Sequence, residues 1–276
     1  MRIDAHQHYW KINRGDYGWI TPKLPLLYRD YLPIDLEPLL NKHQFDGSII
    51  IQAAPTLEET EYILSLADES ESVLGVIGWL DLFSTDHRRR YDKLRRHPKF
   101  KGFRIMIQDM PDATRILEPA FVNALRDYAA EELPVDLLLT SKQMEPVLEL
   151  LQQVPDLRGV IDHLAKPPIH SGELEHWSYY LAKMSAFPSI YCKLSGMVTE
   201  ASQEGWEKED FVPYVRQVIN LFGPERVMFG SDWPVCLQAA EYDEVLNILL
   251  HALPEDWEEH ERERLFGGNA KEFYKL

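Results

Sequence analysis

The chain has 276 residues, 45% of them apolar and 27% charged, a length and composition that suit one large globular domain or two small ones. Its formal net charge of −16, from 29 Lys and Arg against 45 Asp and Glu, argues against nucleic acid and against an anionic membrane surface as partners. No run reaches the ~18 apolar residues of a membrane span, no charged start leads into an apolar leader, and Cys192 and Cys236 lie far apart in apolar stretches as buried free thiols would, so a cytoplasmic protein is expected.

The first strand candidate is "RIDAHQH" (2–8). Residues i and i+2 of a strand share a face, so His6 and His8 should project together with Asp4 in phase behind them. Residues 9–34, rich in Pro, Tyr and Trp, read as a long loop, followed by a short helix over 35–43. A strand at 47–53 leads to a helix at 57–70, a strand at 73–82 to a basic helix at 87–97, and a strand at 100–107 to a helix at 118–132. The strand at 134–140 precedes a helix over 141–154 with Ser141 as N-cap. A strand at 158–165 precedes a helix at 176–187, and one at 189–196 precedes a helix at 210–223 that stops on Gly223–Pro224. The last pair is a strand at 226–233 and a helix at 240–253.

Eight near-continuous apolar strands alternating with eight helices imply parallel pairing and burial on both faces. Eight such units close into a (β/α)8 TIM barrel, here a single domain over 1–276. An open doubly wound sheet is the other arrangement, but no Gly-rich turn follows the first strand. The loop at 9–34 should lie over the barrel mouth.

Functional groups of such barrels come from the C-terminal strand ends. In order these ends offer His6 and His8, Gln52, Trp79 and Asp81, Arg104, Thr140, then Asp162, His163 and Lys166, then Lys193 and Ser195, and finally Ser231 and Asp232. His6, His8, His163 and Asp232 fall at one end of different strands. Imidazole and carboxylate groups are costly to bury unless paired or bound, so their convergence points to a site. Arg104 is the best substrate-binding candidate, through its planar fork of donors, or else a structural ion pair across the barrel. Gln52, Lys166 and Lys193 are weaker candidates; Lys193 could simply pair with an acidic neighbour. Trp10, Trp79 and Trp233 could wall a sugar-binding pocket or belong to the core.

The motifs "DAHQH", "DHLAKPP", "GSDWP" and "GGNAKEFY", spread over essentially the whole chain, resemble the amidohydrolase superfamily of metal-dependent hydrolases, in its amidohydrolase-2 branch. "IIIQAAP", "VIGWLDL", "KGFR" and "YCKLSG" are similar to the sugar-lactonase group of that branch, which includes hydrolases resembling L-fuconolactonase and L-rhamnonolactonase. The resemblance implies a hydrolase that opens the lactone of an aldonic acid. It also implies His6, His8 and Asp232 as ligands of a single divalent cation, with Zn²⁺ the expected occupant. A two-metal centre of that superfamily needs a Lys or Glu on strand four and a His on strand five, and Arg104 and Thr140 stand there instead.

Two mechanisms fit these residues. One mononuclear Zn²⁺ on His6, His8 and Asp232, with His163 close by, could polarise a carbonyl or acidify water. Alternatively no cofactor is required: His6, His8 and His163 polarise the ester carbonyl and Asp232 is general base. Gln52, Arg104, Trp79, Lys166 and Trp233 would bind substrate. A mononuclear zinc amidohydrolase or decarboxylase of the same branch is the alternative activity. The expected partner is a small-molecule sugar lactone, and assembly into a homo-oligomer stays open.

Overall fold

The computed structural model describes residues 1–202 and 205–276. Eight parallel strands pair in sequence order: β1 (Ile3–Gln7), β2 (Gly47–Ile51), β3 (Val73–Gly78), β4 (Phe100–Met106), β5 (Val135–Leu138), β6 (Gly159–Ile161), β7 (Ile190–Leu194) and β8 (Val227–Phe229). Nearly every strand residue is buried, which fits a sheet covered on both sides. The seam between β8 and β1 closes just beyond the regular strands. His8 N donates to Trp233 O and Asp232 N donates to His6 O, both at 2.8 Å. The result is the expected (β/α)8 barrel.

The helices are α1 (Pro33–Lys42), α2 (Leu57–Glu69), α3 (His87–Leu94), α4 (Pro119–Ala130), α5 (Met144–Gln153), α6 (Glu175–Ser185), α7 (Val212–Phe222) and α8 (Tyr242–Ala252), followed by the short α9 (Glu259–Glu263) and α10 (Asn269–Phe273). Local chemistry sets their ends. Thr56 caps α2 by accepting the Glu59 N–H at 3.0 Å. Gly223, at φ 68°, and Pro224 end α7. Thr140, rather than Ser141, heads the turn before α5, because its amide bonds the Gln143 side chain at 3.1 Å.

The core has two parts. Most apolar side chains lie between strands and helices. A second cluster fills the barrel interior: Ile3, Ala5, Ile49, Ile51, Ile77, Val160 and Met228, closed from below by Ala270, Phe273 and Tyr274 of the C-terminal segment. Ile3 and Ala5 therefore point inward, and Asp4 points outward to accept the Tyr242 hydroxyl at 3.2 Å. The β1–β2 register shifts between Asp4 and Gln7. That irregularity returns His6 to the interior, so Asp4 does not stand in phase behind the two histidines. Cys192 and Cys236 are buried free thiols.

Among the described residues, no helix is long and apolar enough to cross a membrane.

Candidate active site

The C-terminal strand ends surround a cavity of about 330 Å³, lined among others by His8, Arg104, His163, Lys166, Glu200 and Asp232. Trp19 and Leu24 of the loop after β1 form part of its wall, which places that loop over the mouth as expected. Trp10 holds the loop from within: it is fully buried, and its indole donates to the Arg29 carbonyl at 2.8 Å. It is core, not a pocket wall.

His6, His8, His163 and Asp232 meet. Asp232 Oδ1 lies 3.3 Å from His8 Nε2, 3.7 Å from His6 Nε2 and 3.9 Å from His163 Nε2. The His6 ring centroid is 5.0 Å from that of His8 and 4.4 Å from that of His163. Each imidazole is held by its other nitrogen. His8 Nδ1 donates to the Ile51 carbonyl at 2.7 Å, and His163 Nδ1 bonds Ser195 Oγ at 2.9 Å. His6 Nδ1 faces Lys193 Nζ at 3.1 Å and Asp162 Oδ1 at 3.3 Å.

Two backbone features aim these groups. After β6 the chain makes a left-handed turn in which His163, Leu164, Ala165 and Lys166 have φ of 53°, 55°, 58° and 48°. Left-handed geometry costs an ordinary residue about 1–2 kcal/mol, and such outliers concentrate at functional sites. This turn ends β6 four residues earlier than its apolar pattern suggests and swings His163 into the mouth. Asp232 is likewise left-handed, at φ 58°. Its carboxylate turns inward while Trp233 packs outward between Tyr9 and Tyr31, with ring centroids 6.1 and 5.1 Å away.

Burial pushes the His163 imidazole down to about 4, and pushes His6 well below its ordinary range with help from the Lys193 charge. Burial also works against an ionised Asp232, but His163, His8 and His6 together hold its carboxyl well below the usual range. At neutral pH Asp232 is therefore a carboxylate beside the neutral rings of His6 and His163.

Arg104 is both a cavity wall and part of an ion pair. Its guanidinium donates to Asp162 at 3.4 Å, to Gln52 Oε1 at 2.9 Å and to the Gln52 carbonyl. Gln52 thus supports Arg104 from behind and does not line the cavity. Lys166 does line it and pairs with Glu200 at 3.5 Å. Two of the tryptophan expectations are corrected. Trp233 is 3% exposed beneath the loop, and Trp79 follows the end of β3 into a separate cavity with Pro55, Asp81 and Met110. Sequence reasoning missed Glu200, Gln108, Asp109 and Gln238 on the rim. It also missed Asp136, below the floor, whose only signal is a lone acid inside the apolar "PVDLLLT".

His6, His8 and Asp232 place one ligand atom each within 4.8 Å of one another. His6 Nε2 is buried with no hydrogen-bond partner. Two imidazoles and a carboxylate with an orphaned nitrogen fit a divalent cation such as Zn²⁺.

Residues 3–276 match the family model described as Amidohydrolase. The chain is 40% identical over 279 residues to an L-fucono-1,5-lactonase from Burkholderia ambifaria, covering 100% of this chain and 96% of that protein. It is 35% identical over 291 residues to an L-fucono-1,5-lactonase from Burkholderia multivorans, with the same coverage of 100% and 96%. The crystal structure of an amidohydrolase from Burkholderia multivorans with bound Zn superposes with a TM-score of 0.94 at 35% identity, covering 100% of this chain and 99% of that one.

Proposed function

The chain belongs to the amidohydrolase family, and on that premise we propose that it hydrolyses a sugar lactone, with an L-fucono-1,5-lactone-like aldonolactone as substrate. The observation that carries this reading is the Asp232 carboxylate standing among three imidazoles at a mouth sized for one monosaccharide. Relatives matched along the whole chain are lactonases, which supports the choice of substrate.

A lactone carbonyl is an activated electrophile. His163, which lines the cavity, and His6 behind it, whose Nε2 lies 3.7 Å from Asp232 Oδ1, hydrogen-bond its oxygen and stabilise the negative charge that develops there. Asp232 orients a water and takes its proton as the oxygen adds to the carbonyl carbon. The tetrahedral adduct then collapses with cleavage of the ring C–O bond. The proton on Asp232 passes to the departing ring oxygen, which becomes a hydroxyl, and the product is the open aldonic acid. Arg104 and Lys166 bind substrate hydroxyls, and Trp19 and Leu24 limit water access from above. If a divalent cation is held by His6, His8 and Asp232, it supplies Lewis-acid polarisation of the same carbonyl.

The test is initial-rate hydrolysis of a panel of aldonolactones by the wild type and Asp232→Asn, each with and without chelator. The wild type should open at least one six-membered aldonolactone, and D232N should lose about 10³-fold in kcat. D232N turnover near the wild-type rate would remove Asp232 as the base. Inert lactones, with amides hydrolysed only after Zn²⁺ is restored, would replace the lactonase reading with a zinc amidase.

A further inference from the structure

Below the mouth lies a charge cluster with no part in the bond-breaking steps. Lys193 Nζ sits 2.5 Å from Asp136 Oδ2, 3.1 Å from Asp162 Oδ1 and 3.1 Å from His6 Nδ1. Tyr274 donates to the other oxygen of Asp136 at 2.9 Å. All these side chains are fully buried.

An ammonium has three N–H donors and no lone pair. Where it donates to His6 Nδ1, that nitrogen must accept. A neutral imidazole that accepts at Nδ1 carries its hydrogen on Nε2. That Nε2 is the buried atom left without a hydrogen-bond partner, 3.7 Å from Asp232 Oδ1. His8 is the opposite case, because its Nδ1 donates to the Ile51 carbonyl and leaves Nε2 bare. The two histidines of one His-x-His are thus set in opposite senses, one by a cation and one by a carbonyl. A donor hydrogen on His6 Nε2 suits a substrate oxygen and blocks a metal ion.

The competing arrangement is also built in. Asp162 Oδ1, already 3.1 Å from Lys193 Nζ, also lies 3.3 Å from the same Nδ1. A hydrogen on Nδ1 would point at it and free the Nε2 lone pair for coordination.

We propose that Lys193 is a positioning residue that keeps the His6 hydrogen on Nε2, and that exchange of Nδ1 between Lys193 and Asp162 decides whether the mouth is a hydrogen-bond donor site or a divalent-cation site. Cation loading removes the hydrogen from Nε2 and places one on Nδ1, donated to Asp162, so the imidazole stays neutral. Lys193 keeps its two carboxylates. The wild-type chain consequently holds a cation less tightly than its ligand set alone would.

Long-range ¹H–¹⁵N NMR of the full-length protein after dialysis against EDTA distinguishes the two tautomers, with His6 assigned by the signal lost in His6→Asn. The metal-free protein should show His6 as the Nε2–H form, and one equivalent of Zn²⁺ should convert it to Nδ1–H. Metal-free Lys193→Met, similar in volume but unable to donate, should already show Nδ1–H. It should bind Zn²⁺ at least tenfold more tightly in competition with a chromogenic chelator. An Nδ1–H form in the metal-free wild type, or a folded K193M that keeps Nε2–H or gains no Zn²⁺ affinity, overturns the proposal. The wild-type spectrum decides the matter alone if K193M does not fold. No measurement uses a lactone, so its failure leaves the substrate assignment untouched.

Discussion

The Asp232 amide donates to the His6 carbonyl at 2.8 Å, so the acid and the first histidine are joined through the main chain at the seam where the barrel closes. The sheet thus fixes the two backbones relative to each other, leaving only the side-chain rotamers to set the 3.7 Å between Oδ1 and Nε2. The geometry the proposed chemistry needs exists before substrate arrives, which is the arrangement that makes positioned groups effective.

Gly196 guards the third imidazole. It is left-handed at φ 59°, and a Cβ placed there would lie 2.4 Å from His163 Nδ1. Gly196→Ala should therefore strain the backbone, displace the His163 ring and break its bond to Ser195. Lactone hydrolysis should fall about 100-fold or more, with a loss of about 2 kcal/mol in urea unfolding. Wild-type kinetics in G196A would show that His163 need not hold its position.

The pH profile should extend far into acid. His163 titrates near 4 rather than at its ordinary 6.5 because it is buried, and Asp232 stays ionised there. The acid limb of kcat/KM should fall near pH 4, where an imidazolium beside Asp232 would weaken the base. The unfolded chain binds this proton between pH 6.5 and 4 and the folded chain does not, so stability declines as pH falls through that window, by up to about 3 kcal/mol. A kcat/KM limb at 6.5 would contradict the assignment.

Glu59 shows the opposite linkage. It is fully buried on α2, accepts the Ala53 N–H at 3.0 Å with one oxygen, and leaves the other unpartnered. Burial raises its carboxyl from 4.5 to about 8. The unfolded chain ionises first, so stability is lost as pH rises from 4.5 to 8, by up to about 5 kcal/mol. Glu59→Gln, isosteric and uncharged, should change little at pH 4 and stabilise by about 3 kcal/mol at pH 8 in denaturant unfolding. Equal ΔΔG at the two pH values would refute the linkage.

Arg104→Lys should test the guanidinium fork. Lysine keeps the charge but cannot meet Asp162, Gln52 and a substrate hydroxyl together. A rise of about tenfold or more in KM, larger than any change in kcat, is the expected steady-state result, since uniform binding is what is removed. An effect confined to stability would make Arg104 purely structural.

Strand order, the closed barrel and the four-residue mouth were legible because apolar runs and polar strand ends are local signals. The left-handed turn at 163–166 was not, since nothing in "DHLAKPP" forces positive φ on four side-chain-bearing residues; the surrounding fold imposes it. The inward return of His6 after outward Asp4 was hidden for a similar reason, because a register shift breaks the period of two on which strand reading relies. The acidic partners that the sequence suggests for Lys193 exist, but they come from β5 and the segment after β6, more than 30 residues away in sequence. Trp79 and Trp233 were drawn in by their position at strand ends, and each turned aside where its strand stops short of the apolar run.

The aromatic stopper formed by Phe273 and Tyr274 has a further result for the working cycle. It seals the lower barrel, and Lys193, Asp136 and Asp162 above it are fully buried even before substrate arrives. A substrate seated above would add a second barrier to proton exchange there. The protonation pattern set in the empty enzyme should then persist through a round of turnover.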